Sequence, residues 1–201
     1  MRADRAVPRS AVFAGLAVLA LAGCVSVPHH PAPIVPWPQR RERLQSLDPY
    51  ELTGRVAVAA GGEGFDAHLD WRQHGARTVL DLNGPLGIGG VHVVADGPSL
   101  EVETSSGRKL TSAEARAQLT AKLGFEPPLA SLRYWILGVP DPAGPSTQTV
   151  ADDQRLTVLQ QYGWRIDYFA YTNASGYWLP QRLTLTRASV RVRLAIDRWQ
   201  P

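Results

Sequence analysis

Residues 52–73 read LTGRVAVAAGGEGFDAHLDWRQ, in which apolar and polar side chains alternate on both sides of a glycine pair. Alternation with a period of two places successive side chains on opposite faces of an extended chain, so each half predicts a β-strand with one buried face. Gly61-Gly62 separates the halves, and such a two-residue connection is typical of a tight hairpin turn. We therefore predict an antiparallel hairpin in which Phe65, Leu69 and Trp71 share the buried face.

The alternating pattern recurs on both sides of a central helical region. Before that region, strands are predicted at residues 78–82, 91–94 and 100–103, with Asp96-Gly97 as a hairpin turn. After it, strands are predicted at residues 156–161, 164–168, 177–179, 183–185 and 190–196. Many short strands with one apolar face close most economically into a barrel or a strongly curved sheet.

Two helices are predicted between the two sets of strands. Thr111 and Glu114 have the spacing of a capping box, and an apolar stripe follows over residues 112–123. A second helix is predicted from Pro128 to Gly138, because proline suits a first helical position and glycine a helix end. Its apolar side comprises Leu129, Leu132, Trp135, Ile136 and Val139. The expected fold is mostly β with α, a hollow sheet whose open end is covered by a helical lid.

The N-terminal segment is a short apolar run that ends at the only cysteine of the chain. Residues 11–22 follow a segment with three arginines, and these twelve residues are too few for a hydrocarbon layer that requires ~20. The run therefore predicts a secretory signal. Its end reads LAGC at residues 21–24 and matches the bacterial lipobox, in which Cys24 receives a diacylglycerol before cleavage. A plain signal peptide with an unmodified cysteine is the alternative.

These features divide the chain into a lipoprotein signal peptide at residues 1–23, a proline-rich tether at 24–38 and a single domain at 39–201. Proline-rich segments extend as semi-rigid spacers, and a short helix is predicted at 39–47, directly after the tether. Val25 stands where an aspartate usually retains lipoproteins in the inner membrane. We therefore expect the protein to be anchored through Cys24 to the outer membrane, facing the periplasm.

The charge distribution excludes one class of partner. The whole chain has a formal net charge of +3, and residues 1–23 contribute three arginines and one aspartate, so the processed chain carries only +1. Nucleic-acid-binding proteins usually present a clustered basic patch, whereas charges of both signs alternate along this sequence. We expect no nucleic-acid partner.

No motif for catalysis or cofactor binding is complete. Gly87 and Gly89 begin a G-x-G-x-x-G pattern, but His92 stands where the third glycine belongs. His68 and Asp70 could provide two metal ligands, although solvated side chains are the usual occupants of the polar face of a strand. His92 lies between valines, where a hydrogen-bonded strand histidine is the more common role. The sequence therefore predicts binding rather than catalysis, without a metal or a cofactor.

Several segments together resemble the LolB family of outer-membrane lipoprotein receptors. They are the lipobox, the strand 52–58, the strand end Trp71-Arg72-Gln73, the turn 83–87, the segment 131–140 and Trp199. The most specific of them is LRYWILGVP at residues 132–140, and the similarity spans nearly the whole domain. The resemblance implies an open, incomplete antiparallel β-barrel with a helical lid that encloses an apolar cavity. We expect Leu132, Trp135 and Ile136 in the lid, where Trp135 and Ile136 face the apolar cavity or the core beneath it.

The resemblance further implies a function. Proteins of this family take lipoproteins from the periplasmic carrier LolA and insert them into the outer membrane, so the implied partners are a LolA-type carrier, the acyl chains of lipoprotein cargo and outer-membrane lipid. We expect a monomer. The family inserts a leucine at the tip of a protruding loop, which corresponds to Leu86 here. The turn continues with Ile88 and two glycines, so the tip could be shared between Leu86 and Ile88. A Leu86 that folds under the rim of the barrel is the alternative.

Two other functions stay open on the sequence alone. One is a lipoprotein that binds free lipid or another small apolar ligand, or that scaffolds envelope assembly. The other is a hydrolase acting on lipid or cell wall, which the missing nucleophile motifs disfavour.

The lipobox generates a prediction. Cys24→Ser is expected to abolish lipidation, because a hydroxyl does not accept the diacylglycerol as the thiol does. Mass spectrometry of the processed protein measures the acyl mass directly. A wild-type protein that carries no acyl chains would contradict the lipoprotein assignment.

Overall fold

A computed structural model of the chain describes residues 35–85, 89–123 and 127–201. Cys24, Leu86 and Ile88 lie outside the described residues. Ile34–Pro201 form one compact unit, and the described hydrophobic core lies within it, so this unit has a core of its own, as an independently folding domain requires. Within the described part of the chain, no helix combines the length and the apolar character that crossing a membrane requires.

The described residues form three helices and eleven strands. The helices are α1 (Trp37–Gln45), α2 (Ser112–Leu123) and α3 (Leu129–Trp135). The strands are β1 (Tyr50–Ala60), β2 (Glu63–His74), β3 (Arg77–Asn83), β4 (Val91–Asp96), β5 (Ser99–Thr104), β6 (Lys109–Leu110), β7 (Thr147–Val150), β8 (Leu156–Gln161), β9 (Trp164–Ala174), β10 (Tyr177–Arg187) and β11 (Val190–Gln200).

All these strands belong to one antiparallel sheet in the order β6-β5-β4-β3-β2-β1-β11-β10-β9-β8-β7. Two meanders, β1 to β6 and β7 to β11, are joined where the first strand pairs with the last. The sheet is not closed, because β6 and β7 form its two edges. The chain between these edges contains α2 and α3, so the open side of the sheet is also the side from which the helices arise. The expected open barrel with a helical lid is confirmed.

Glycine permits the pairing of the two meanders at close range. The register between β1 and β11 shifts at Thr53 and Gly54, and a Cβ on Gly54 would lie only 2.3 Å from the carbonyl oxygen of Ala195. A side chain at this position would push the strands apart, which is a recognised use of glycine at a bulge.

The core covers one face of the sheet and continues across neighbouring strands. Leu52, Trp71, Leu80, Val93 and Val102 are buried and stand directly opposite one another from β1 to β5. The side chains that alternate with them along each strand are more exposed, as the period-two pattern predicts. The buried face of both meanders is therefore one continuous surface, against which the helices pack.

The structure confirms α2 at the predicted bounds, including its capping box. The backbone N–H of Thr111 donates to Oε2 of Glu114 at 2.9 Å, and the N–H of Glu114 donates to Oγ1 of Thr111 at 3.5 Å. The backbone N–H of Thr111 and its hydroxyl, which donates to the same Oε2 at 2.8 Å, hold the pKa of Glu114 below its usual value, because both hydrogen bonds favour the ionised carboxylate. The helix therefore starts where the sequence places it.

Other elements differ from the sequence-based expectation. Helix α1 begins at Trp37, two residues early, because the indole N–H of Trp37 donates to Oε1 of Gln148 and its backbone N–H donates to Oε1 of Gln154, both at 3.0 Å. The two strands expected at 177–179 and 183–185 are a single strand, β10. It continues through Pro180 because the pairing with β9 is irregular there, so no ladder hydrogen bond from proline is required.

The helix predicted from Pro128 to Gly138 is also shorter than expected. Helix α3 covers Leu129–Trp135, with Pro128 as the residue before its first turn. The chain then leaves the helix in a turn, where Gly138 has a φ of +77°. Val139, which follows, is completely buried, so the segment beyond the helix still contributes to the core.

Candidate functional site

A cavity of about 180 Å³ lies between the buried face of the sheet and the lid helices. Its lining is apolar throughout. The sheet contributes side chains from β1, β2, β3, β4, β9, β10 and β11, among them Leu69, Trp71, Leu80, Leu82 and Val93. The roof consists of Leu119 from α2 and of Pro127, Pro128, Leu129, Leu132 and Ile136 in and around α3.

Phe65 marks the rim of this cavity. It stands opposite Val58 near the turn between β1 and β2, and both side chains line the cavity. Phe65 is nevertheless 48 % exposed, although the other apolar side chains on the same face of β2 are buried. A large apolar side chain that borders both solvent and an apolar cavity is a suitable first contact for an apolar ligand.

Helix α3 is fixed from one side by a buried polar network. The indole N–H of Trp135 donates to Oε1 of Gln161 at 2.8 Å, and the backbone N–H of Asp141 donates to the same oxygen at 2.9 Å. The amide nitrogen of Gln161 donates to the carbonyl oxygens of Asp141 and Gly144. Ser131 donates to Oδ2 of Asp141 at 2.7 Å. Since buried polar groups are costly when unpaired, this network holds Ser131 and Trp135 firmly.

Two tyrosines hold the end of the same helix. The hydroxyl of Tyr50 donates to the carbonyl oxygen of Arg133 at 2.6 Å, and the hydroxyl of Tyr168 donates to that of Trp135 at 2.8 Å. The last carbonyls of a helix lack partners within it, so these hydroxyls supply what the helix lacks. Burial raises the pKa of both phenols well above the usual value, so they stay protonated and remain donors.

The described polar contacts of helix α2 with the rest of the domain lie near its beginning. Oγ of Ser112 accepts from the backbone N–H of Leu100 at 2.9 Å, and Arg116 donates to the carbonyl oxygen of Pro98 at 2.8 Å. Ala115 is buried, whereas Leu119, which reaches the cavity, is only partly buried. The two parts of the roof therefore differ in how strongly they are attached.

The structure separates the three predicted lid residues. Leu132 and Ile136 line the cavity, whereas Trp135 does not. Residues four apart lie on one face of a helix, so 132 and 136 face the cavity while 131 and 135 face the polar network. Trp135 is fully buried beside Trp164, with ring centroids 6.3 Å apart. Of the two positions expected for Trp135, the cavity or the core beneath it, the structure shows the core.

The polar residues considered as ligands lie elsewhere. His68 is exposed on the outer face of β2, and Asp70 lies on that same face. His92 is paired through Nδ1 with Oδ1 of Asp81 at 2.5 Å, and Asp81 also accepts from Arg72 at 2.5 Å. Among the residues described here, no group of three or more His, Cys, Asp or Glu side chains is arranged to hold a metal ion.

Sequence reasoning missed Gln161 and the rim position of Phe65. A glutamine at a buried position of an otherwise apolar strand was the available signal for Gln161, because such a group needs buried partners. Nothing in the alternating pattern distinguishes Phe65 from the buried residues that follow it along β2. The cavity can bind by removing apolar surface from water, and the lining residues that the structure describes carry no nucleophile or titratable group.

The open sheet with helices over an apolar cavity places this protein in the class that has the LolA-like fold. A LolA-superfamily protein from Nitrosomonas europaea superposes with a TM-score of 0.51 at 10 % identity, over 83 % of this chain and 93 % of that one. A DUF1329 family protein from Desulfovibrio piger superposes with a TM-score of 0.54 at 7 % identity, over 81 % and 89 %. Identities this low show the fold alone.

Sequence similarity identifies the family within that fold. The family model described as outer membrane lipoprotein LolB matches residues 48–199. The outer-membrane lipoprotein LolB of Pseudomonas putida is 33 % identical over 165 residues, which cover 82 % of this chain and 80 % of that protein. The corresponding protein of Pseudomonas aeruginosa is 31 % identical over 194 residues, covering 94 % and 95 %. The chain belongs to the LolB family, as its resemblance predicted, and this family is named for a lipoprotein and not for a reaction.

The two faces of α3 generate a prediction. Trp135→Ala is expected to lower the free energy of unfolding by about 3–5 kcal/mol, because it removes a buried indole and its hydrogen bond. Leu132→Ala is the matched variant on the cavity face, with an expected loss of about 1–2 kcal/mol because a partly buried side chain loses fewer contacts. Urea denaturation followed by circular dichroism measures both. Equal losses would contradict the separation of the two faces.

Proposed function

We propose that this protein receives lipoproteins from a LolA-type periplasmic carrier and inserts them into the outer membrane. The observation that carries the proposal is the wholly apolar cavity beneath the lid in a chain of the LolB family. The acyl chains of the cargo are the ligand that this lining suits. The LolA-like fold supports the proposed transfer from the carrier to this protein, since a donor and an acceptor that bind the same acyl chains need similar cavities.

Transfer between two such cavities requires only a difference in affinity. Each methylene removed from water contributes about 0.8 kcal/mol, so a modest gain in buried chain length moves cargo from the carrier to the acceptor. No nucleotide is needed for a step of this kind. Release into a bilayer follows the same rule, because the hydrocarbon layer buries the acyl chains completely.

The cavity must enlarge to hold acyl chains. An apolar cavity of about 150 Å³ accommodates a molecule the size of benzene, and the cavity here is of similar size at about 180 Å³. We infer that α2 moves during uptake, because α3 is held by Gln161, Tyr50 and Tyr168 whereas α2 is attached mainly at its first turn. Displacement of Leu119 would then extend the cavity between α2 and the sheet.

The place of action follows from the N-terminal segment. In the proposal, residues 1–23 direct export, Cys24 carries the lipid anchor and residues 24–38 form a tether, so the domain faces the periplasm as a monomer at the outer membrane. Two or three acyl chains suffice for stable anchoring. The relatives named above are described as outer-membrane lipoproteins, which supports this location.

Insertion into the membrane is assigned to Leu86, with Ile88 as a second contact. Both residues lie outside the described part of the chain, so the assignment depends on the sequence and on the residues that flank them. Gly84 and Pro85 follow directly after β3, and Gly89 has a φ of +78°. Leu86 and Ile88 are thus apolar residues within a glycine-rich connection between two strands, with few side chains nearby in sequence against which they could pack.

A free apolar ligand is the second candidate. The cavity volume favours it, because about 180 Å³ fits a small molecule without any movement of the lid. A transfer assay with lipidated cargo separates the candidates, since a carrier of free lipid need not accept acyl chains that are attached to a protein.

A charge at the rim tests uptake. Phe65→Glu is expected to reduce transfer from cargo-loaded carrier to the soluble domain, Ile34–Pro201, at least about tenfold, because acyl chains would have to pass a carboxylate that must stay hydrated. The domain should stay folded, since Phe65 is 48 % exposed.

Trp178→Glu is the matched control for uptake. Trp178 is 42 % exposed and does not line the cavity, so this variant should accept cargo normally. The amount of cargo bound to the domain after separation from the carrier measures both variants. Normal uptake by Phe65→Glu would exclude this rim as the entrance.

A charge in the turn after β3 tests delivery. Leu86→Glu is expected to accept cargo from the carrier but to fail in passing it to liposomes, because a carboxylate enters lipid unfavourably. Circular dichroism checks the fold, and the two transfer steps are measured separately. Normal delivery by both Leu86→Glu and the double variant Leu86→Glu/Ile88→Glu would refute the insertion role. Loss of the first step would instead assign Leu86 to the contact with the carrier.

A further inference from the structure

A second concave surface lies on the outer face of the sheet, away from the apolar cavity beneath the lid helices. It is a groove of about 710 Å³ that crosses β9, β10, β11, β1 and β2. Three arginines line it, each from a different strand: Arg55, Arg182 and Arg193. We refer to this surface as the arginine groove.

The strand register brings these arginines together although they are far apart in sequence. Arg55 and Arg182 stand on either side of Ala195, and Arg193 stands between Ala57 and Thr184. The small side chains of the alanines leave space between the long guanidinium-bearing ones, which creates the groove. Since a sheet fixes these positions by its backbone, the cluster does not depend on a flexible loop.

The charge in the arginine groove is only partly balanced. Arg55 lies 3.4 Å from Asp197, and both side chains are more than half exposed, so this ion pair is weak. Arg182 and Arg193 form no ion pair with any described residue. Asp66 is the one acidic residue in the described lining. The groove therefore presents net positive charge to an external anion.

Two further lining residues indicate what kind of anion is bound. Phe169 is 66 % exposed at the groove, which places an aromatic ring beside the guanidinium groups. Pro85 also lines the groove and is the last described residue before the turn that contains Leu86. An aromatic ring beside cationic side chains suits the boundary between headgroups and acyl chains of a bilayer. A soluble anion or an acidic protein surface would not need the exposed ring.

We propose that the arginine groove binds the phosphodiester headgroups of anionic phospholipid and so holds the outer face of the sheet against the membrane during delivery. This proposal rests on the proposed delivery of cargo to a bilayer. The arginines supply attraction to the phosphates, and Phe169 enters the interfacial layer. The contact places Pro85, which directly precedes Leu86 in the sequence, at the bilayer surface.

Vesicle flotation with the soluble domain, without carrier or cargo, tests the groove. Vesicles of one third phosphatidylglycerol and two thirds phosphatidylethanolamine are compared with vesicles in which phosphatidylcholine replaces phosphatidylglycerol. Arg55→Gln/Arg182→Gln/Arg193→Gln is expected to weaken binding to the anionic vesicles about 100-fold, at roughly a factor of five for each arginine. The corresponding triple lysine variant should retain most of the binding, because it keeps the charge.

A matched variant controls for the loss of net charge. Arg108, Arg187 and Arg198 are exposed, lie outside the groove lining and form no ion pair with any described residue. Arg108→Gln/Arg187→Gln/Arg198→Gln removes the same charge and is expected to weaken binding by at most about threefold, since screening limits the effect of distant charges. Equal losses in the two triple glutamine variants would overturn the proposal, as would equal binding of the wild type to both kinds of vesicle.

Three other results have defined meanings. Saturable binding of inorganic phosphate that competes with vesicles at millimolar concentration would identify a site for a free anion and overturn the membrane assignment. Loss of carrier-to-domain transfer in the groove variant, with vesicle binding intact, would assign the groove to an acidic face of the carrier and overturn it equally. Failure of the wild-type domain to take cargo from the carrier would refute the proposed function, while the lipid selectivity of the vesicle binding would still decide whether the groove recognises anionic headgroups.

Discussion

The pairing of the first strand with the last is the constraint on which the rest of the structure depends. Glu51 stands opposite Gln200 and Ala59 opposite Arg191, so a ladder along nearly the whole of β1 joins residues more than 130 positions apart. Without this ladder the two meanders would be separate sheets, each with one apolar face exposed to water. With it, the buried faces merge and the cavity acquires walls from both halves of the chain. The close approach at Gly54 is a local requirement of the same ladder.

The two helices that form the roof of the cavity are attached to the sheet in different ways. Helix α3 is connected to the sheet by buried hydrogen bonds from Gln161, Tyr50 and Tyr168, each of which would cost free energy to break. Helix α2 depends on a capping box and on contacts near its first turn. A lid built in this way can change the volume of the cavity while the position of its floor and of one wall stays fixed, as reversible uptake of a long apolar ligand requires.

Sequence alone predicted the features that local periodicity determines. The alternation in residues 52–73 identified β1, β2 and their buried faces, and the capping box placed the start of α2. It left open which face of α3 meets the cavity, because residues on both sides of that helix are apolar and only the partner Gln161 distinguishes Trp135 from Leu132. It split β10 at Pro180, since an irregular register is a property of two strands and not of one. The arginine groove could not be predicted from the sequence either, because charges that alternate along each strand collect on one face only when the strands pair.

The strand order also limits when this protein can reach its native state. Every residue of β1 that pairs with β11 needs a partner between Arg191 and Gln200, and β11 follows all the other strands in the sequence. A polypeptide is synthesised from its N-terminus, so the central ladder of the sheet cannot form until β11 has been made. Up to that moment β1 has one open edge and the apolar floor of the cavity is incomplete. The topology thus makes completion of the sheet depend on its last strand, and the long loop that this pairing closes slows folding.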